Sequence, residues 1–189
     1  MSARSDAELV SGVLSGHREC FAHLVDRHRS RVYSVMLHAV GDRDMAEDLT
    51  QETFLKAYRN LANYDSSRAK FPTWLLTIAS RLRVDAHRRA RPERSLDQMS
   101  ADQGFDPASE ERTERALEAA AVGQAVRAAI QRLPERQRVA VILKHIEDMP
   151  FAEIAQIMGC TVNSAKVHAH RGRNRLAQLL GHVREEELQ

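Results

Sequence analysis

Residues 151–175, FAEIAQIMGCTVNSAKVHAHRGRNR, constrain this chain more than any other stretch. Ile154, Ala155 and Met158 give an apolar helical face. Gly159 ends that helix, because glycine tolerates the left-handed backbone of a C-terminal cap. Thr161 is positioned to cap the next helix. That second helix carries Asn163, Ser164, Lys166, His168, His170, Arg171, Arg173 and Arg175. The small Ala155 sits where two helices would approach closely. Turn, core and polar face therefore agree on a helix-turn-helix, whose second helix enters the DNA major groove and offers Asn, Lys and Arg to base edges and phosphates. The competing reading is an ordinary helical hairpin with a solvated basic face.

The 189 residues allow one domain or two small ones. Glycine and proline are scarce and alternating strand-like runs are absent, so the expected class is all-α. The formal net charge is only +2, but it is segregated. Arg81 to Arg94 holds six arginines against Asp85 and Glu93, and Asp42 to Glu52 holds five acids against Arg43. Asp97 to Glu118 is acidic again. Separate basic and acidic faces imply a polyanionic partner and also a cationic or protein partner. The two cysteines, Cys20 and Cys160, give no disulfide framework. No run approaches the ~20 apolar residues needed to cross a bilayer, and the N-terminus has no signal-peptide apolar region. The expectation is a cytoplasmic protein with no membrane insertion.

Along the chain, Ser5 or Asp6 caps a first helix, and a second runs from about Glu19 to Val40. Gly41 to Asp44 forms a turn, with Asp44 and Glu47 at capping-box spacing before a third helix over about 45–61. A polar loop, Asn63 to Lys70, leads to a fourth helix from Phe71 that ends before Pro92. Phe71, Trp74, Leu75, Ile78 and Leu82 form its apolar stripe. Residues 95–106 lack helical period and read as a flexible linker that could span roughly 40 Å. Asp106 and Pro107 then open a helix running to about Leu133, and Pro134 opens another. The division is two small helical domains, 1–94 and 107–184, with a short tail over 185–189 that is frayed.

Two further elements carry chemistry. The fourth helix sets Arg81, Arg83, His87, Arg88 and Arg89 around its apolar stripe. Aromatic and polar loop residues beside a basic helix suit single-stranded DNA, whose unstacked bases need a π-face and an electrostatic groove. The plain alternative is a core helix with a solvated charged face, and Trp74 falls on the core stripe. The third helix is acidic. The helix dipole explains Asp44, Glu47 and Asp48, at roughly 0.3–1 kcal/mol each. It does not explain Gln51 and Glu52 flanking Phe54 and Leu55, which resemble a protein-docking face.

Three segments in order, DLTQETFLKAYRNL, FPTWLLTIASRLRVDAHRR and LPERQRVAVILKHIEDMPFAEIAQIMGCTVNSAKVHAHRGR, resemble a bacterial sigma factor of the extracytoplasmic function (ECF) group of the sigma-70 family. The first two correspond to region 2 and the third to region 4. The resemblance implies that Asp48, Leu49, Gln51, Glu52, Phe54 and Leu55 bind core RNA polymerase. It implies that Asn63, Tyr64, Asp65, Ser66 and Lys70 of the loop, with Arg81, Arg88 and Arg89 of the following helix, recognise and help melt the −10 promoter element. It places Asn163, Ser164, Lys166, His168, Arg171 and Arg173 at the −35 element. An anti-sigma factor is a further implied partner. Arg81 stands where the family pattern W-L-x-x-I-A-x-N has Asn. Ala165 replaces a β-branched residue and His168 an arginine, which implies an unusual −35 preference.

The expectation is a promoter-specificity subunit with no catalytic residues and no cofactor. The alternative is a stand-alone helix-turn-helix regulator, which leaves the acidic helix and the basic fourth helix unexplained. An enzyme or metal sensor is the third reading. It rests on His17 and Cys20 at i, i+3, but the nine histidines are scattered and no closed four-ligand set appears.

Overall fold

The computed structural model describes residues 4–90 and 114–186, and the side chains of 4–86 and 122–181. The linker 95–106, the Asp106–Pro107 cap and the Arg88 and Arg89 side chains lie outside them. The described residues are helical, as the sequence implies: α1 (Asp6–Leu14), α2 (Glu19–Val40), α3 (Arg43–Arg59), a 3-10 turn at Leu61–Asn63, α4 (Phe71–Ala90), α5 (Glu114–Gln131), α6 (Glu135–Val141) with a π-helical turn at Ile142–Ile146, α7 (Phe151–Met158) and α8 (Val162–Glu186). The tail expected to fray at 185 is helical through Glu186.

Local chemistry sets the helix ends. Ser5 caps α1 through a full capping box: the Glu8 N–H donates to Ser5 Oγ at 3.3 Å, and the Ser5 N–H donates to the Glu8 carboxylate at 2.6 Å. Gly41 ends α2 in the left-handed region at φ 80°. Asp42, rather than Asp44, caps α3. Its extended backbone puts Oδ1 2.7 Å from the Met45 N–H, so the helix starts two residues before the expected 45.

Helix α2 is the spine of the N-terminal half. Leu24, His28, Val32 and Met36 are buried at four-residue intervals along one face. His28 Nε2 lies 3.0 Å from Asp6 Oδ2, and Arg27 Nη1 donates to Asp6 Oδ1 at 2.6 Å, which pins α1 to α2. Burial lowers the His28 imidazole below its usual range, although Asp6 pulls the other way. Helices α3 and α4 close this half over Leu49, Phe54, Phe71, Leu75 and Leu82.

In the C-terminal half, α8 lies tightly against α6. Ala165, Ala169 and Gly172 line its inward face. A Cβ on Gly172 would stand 2.5 Å from Val141 Cγ2 and 3.1 Å from the Gln137 carbonyl oxygen. Gly172→Ala gains about 1 kcal/mol of helix propensity but overpacks a buried valine and a backbone carbonyl, at about 1–3 kcal/mol. The crowding wins, so the variant is expected to melt several degrees lower in a thermal circular-dichroism scan. An unchanged or raised midpoint would mean that α6 yields freely.

The two helical groups share one core. Val35, Met36, Ala39 and Leu76 meet Val139, Ile142, Leu143 and Ile157 around a void of about 10 Å³, room for no more than one water. Polar groups of the C-terminal half also satisfy the carbonyls at the end of α2. Gln131 Nε2 donates to the His38 oxygen at 2.6 Å and Arg138 Nη1 to the Ala39 oxygen at 2.9 Å.

Candidate nucleic-acid interface

The turn between α7 and α8 has the chemistry its residues imply. Gly159 adopts φ 59°, ψ 43°, and the Cys160 N–H donates to the Ala155 oxygen at 3.0 Å. Thr161 Oγ1 accepts the Ser164 N–H at 3.1 Å, capping α8. With Ala165, Ala169 and Gly172 facing inward, 100° per residue sends the opposite stripe to solvent. That stripe is Asn163, Val167, His170, Arg171 and Asn174, all exposed, with Lys166 exposed on its flank.

Of the six residues placed at the −35 element, Asn163, Lys166, Arg171 and Arg173 are exposed. Ser164 and His168 are half-buried. The Ser164 hydroxyl is 2.9 Å from Thr161 Oγ1, so it belongs to the cap. Val167, His170 and Asn174 sit at the centre of the outward stripe and were not among the assigned residues. The helical phase set by Ala165 and Ala169 is the signal that finds them. Val167 is 45% exposed, and a bare branched methyl pair suits the thymine C5-methyl.

The second surface is the loop before α4. Asn63, Asp65, Ser66 and Lys70 are exposed. Asp65 Oδ1 accepts from the Ser67 N–H at 2.9 Å and from the Ser67 hydroxyl at 2.6 Å, and these bonds hold its carboxyl below the usual range. Tyr64 is half-buried and its hydroxyl donates to the Ala69 oxygen at 3.1 Å. Its ring meets Phe71 at 5.6 Å and Trp74 at 5.2 Å. Trp74 is half-buried rather than fully enclosed, so a partly open aromatic cluster stands beside the polar loop. Arg81 is exposed at the rim of a cleft of about 300 Å³ between α4 and helices α6 and α7, which Arg136 and Glu135 also line.

The third surface is α3. Asp48, Gln51 and Leu55 are exposed and Glu52 is half-buried, at i, i+3, i+7 and i+4, which is one helical stripe. Leu49 and Phe54 are 4% and 7% exposed, so in this structure they anchor α3 to the core, while Asp48, Gln51, Glu52 and Leu55 form its outward stripe. Tyr58, 40% exposed beside the 56% exposed Leu55, extends the apolar part of the stripe. As for the histidine and cysteine positions, Cys20 is buried beside Arg4 and His17 lies 3.4 Å from Glu19.

Comparison with known proteins places the chain in a family. Residues 24–93 match the family described as Sigma-70 region 2, and residues 123–176 match Sigma-70, region 4. The chain is 31% identical over 177 residues to the ECF RNA polymerase sigma factor SigW of Bacillus subtilis, covering 90% of this chain and 94% of that protein. It is 30% identical over 186 residues to the RNA polymerase sigma-H factor of Pseudomonas aeruginosa, covering 95% and 96%. The fold is similar to that of the sigma factor RpoE of Bartonella quintana, solved in complex with the anti-sigma factor NepR, with a TM-score of 0.67 at 24% identity over 85% of this chain and 96% of that one. Two family regions in the expected order, joined by relatives that align almost end to end, mean that the chain belongs to the ECF group of sigma-70 family RNA polymerase sigma factors, which are transcription initiation factors.

Proposed function

We propose that this sigma factor, which binds core RNA polymerase and directs promoter-specific initiation, divides the task among the three surfaces described above. The stripe Asp48, Gln51, Glu52, Leu55 and Tyr58 docks on core polymerase. Asn63, Tyr64, Asp65, Ser66 and Lys70, with Arg81, Arg88 and Arg89, bind the −10 element as its strands separate. An exposed loop beside Tyr64 and Trp74 gives an extruded base a ring to stack on, and Lys70 supplies charge for the backbone. The outward stripe of α8 enters the −35 major groove, with Asn163, Val167, His170 and Arg171 toward base edges and Lys166 and Arg173 toward phosphates. The division between the two DNA-reading units falls in the linker between 94 and 107.

The observation that carries this reading is the outward stripe of α8 behind a properly capped helix-turn-helix. Each weak surface gains from the others, because polymerase makes the later contacts effectively intramolecular. The protein works in the cytoplasm, where polymerase and promoter are. An anti-sigma factor is a further partner, supported by the complex in which the similarly folded Bartonella protein was solved.

The test is run-off transcription on genomic fragments with core polymerase, followed by mapping of start sites. Start sites with a shared upstream pattern are expected only when core polymerase and this protein are both present. A stand-alone regulator would instead shift duplex promoter DNA without polymerase, and that result would overturn the reading.

A further inference from the structure

We propose that His28 is a positioning residue for promoter opening: through its bond to Asp6 and its ring contact with Phe71, it sets the tilt of the aromatic cluster beside the −10 loop. The proposal rests on the reading that Tyr64 and its loop receive the separated −10 strand.

Position 28 lies on the buried spine of α2, where Leu24, Val32 and Met36 fill the same face with apolar chains. A leucine would pack there without the cost of burying a polar ring, which needs a hydrogen-bond partner to offset it. Burial holds the His28 imidazole below its usual range; Asp6 opposes the fall, and Arg27 and Arg31 add to it. The ring is therefore neutral at neutral pH. A neutral ring protonated on Nε2 donates to Asp6 Oδ2 at 3.0 Å. Histidine thus supplies a directed bond that an apolar side chain lacks.

That bond has two ends. On one side Asp6 is itself held: its Oδ1 accepts from Arg27 Nη1 at 2.6 Å, and Arg27 Nη2 donates to the Arg4 carbonyl oxygen at 2.6 Å. Carboxylate, guanidinium and main chain together fix the start of α1. On the other side the His28 and Phe71 rings meet with centroids 5.4 Å apart and planes at 46°. Phe71 is 1% exposed and carries the contact outward, to Tyr64 at 5.6 Å and Trp74 at 5.8 Å. Tyr64 and Trp74, half-buried and 5.2 Å apart, are the rings within reach of a base.

Asp6 also acts on the cluster directly. Burial, and then the charges of Asp6 and Asp65, raise the Tyr64 hydroxyl above its usual range. The phenol keeps its proton and its bond to the Ala69 oxygen at 3.1 Å, which ties the loop to the head of α4. One carboxylate therefore acts on the imidazole behind the cluster and on the phenol within it.

A stacking surface works by presenting its rings at a fixed tilt and distance before the base arrives. A misplacement of about 1 Å can slow a step by up to ~100-fold. Capture of a separated base belongs to opening, which follows the binding of duplex promoter. His28 is enclosed in the core, so it acts on opening through the rings in front of it and leaves duplex binding alone.

The test is open-complex kinetics with reconstituted holoenzyme on a promoter located by run-off mapping, which separates the binding constant from the rate of opening. His28→Leu keeps the core apolar and removes the bond. It should slow opening about tenfold and leave the binding constant within about twofold. Asp6→Ala removes the other end of the bond and should slow opening alike. The double variant should be no slower than either single one, because both break the same link. His28→Gln, whose amide N–H can reach the same carboxylate, should fall between His28→Leu and the wild type. Met36→Ala, about two turns along the same buried spine, lowers stability but should open the promoter at the wild-type rate below its melting point. Trp74 is the only tryptophan of the chain, so its emission in the free full-length protein gives a second readout that needs no polymerase. It should shift to the red and quench more readily with acrylamide in His28→Leu, and not in Met36→Ala. Wild-type opening by a folded His28→Leu, or opening rates that follow the melting points across all variants, would make His28 a core residue alone and overturn the proposal. Failure of the −10 reading looks different: Tyr64→Ala would then open the promoter at the wild-type rate, whereas a slow Tyr64→Ala beside a normal His28→Leu removes only the link through His28.

Discussion

Replacing Lys166 and Arg171 together with alanine is expected to lower promoter-specific run-off transcription by about a hundredfold. Both side chains are exposed on α8, on either side of the outward line through Val167. Arg171 lies near the centre of that face, where a guanidinium can pair with a guanine edge. Such a contact is worth about 1–3 kcal/mol of discrimination. Lys166 lies on the flank, where a point charge meets phosphate, and its loss should lower the salt dependence of holoenzyme binding by about one unit of slope. The fold should barely notice, because exposed substitutions usually change stability by within about 0.5 kcal/mol. His168→Ala is the internal control. Its half-buried position predicts a small effect on base selection despite its place in the family motif. Val167→Ala should weaken selection at a thymine without altering the salt slope. Full activity from the double alanine variant in a reconstituted assay would remove α8 from the −35 groove.

What could be read from the amino acids divides along a physical line. The Gly159–Thr161 turn and the Gly41 stop depend on chemistry within a few residues, and both were legible. The start of α3 was missed by two residues because Asp42 and Asp44 are equally good caps. The termination at Gly41 decides between them, leaving Asp42 extended at φ −112°. Motif resemblance put Leu49, Phe54 and His168 among contact residues, whereas the helical phase places the first two in the core and the third at its edge. A family motif mixes residues that touch a partner with residues that hold the touching ones in place. The phase, read from Ala165 and Ala169, is what brings out Val167 and His170. The contacts between the halves were illegible for another reason. Arg31 with Glu147, Lys70 with Glu153 and Arg83 with Glu135 are 116, 83 and 52 residues apart. Each acid in isolation looks like an ordinary helix-surface charge, and no local rule pairs it with a partner so distant.

The α3 stripe gives the second large effect. Asp48→Lys with Glu52→Lys is expected to reduce capture of core polymerase at least tenfold in a pull-down, and Leu55→Asp should do the same through the apolar centre of the stripe. Docking faces place desolvated apolar groups inside a polar rim. Leu55 and Tyr58, 56% and 40% exposed, are the apolar groups on α3 available for that role. Stability should change little. Glu52 pairs with Lys56 only at 3.5 Å and in the open, an i,i+4 pair worth about 0.3–0.5 kcal/mol. Leu49→Ala separates the two ways of losing polymerase. That side chain is buried, so its truncation should cost about 2–5 kcal/mol and lower the melting point by roughly 10 °C. Any binding it retains at low temperature should be of normal affinity, because the stripe itself is intact. If Leu55→Asp lowers the melting point as Leu49→Ala does, its loss of binding reflects unfolding, and the docking assignment fails. If instead polymerase binding falls while the melting point holds, α3 is divided lengthwise into a face that folds the protein and a face that recruits the enzyme.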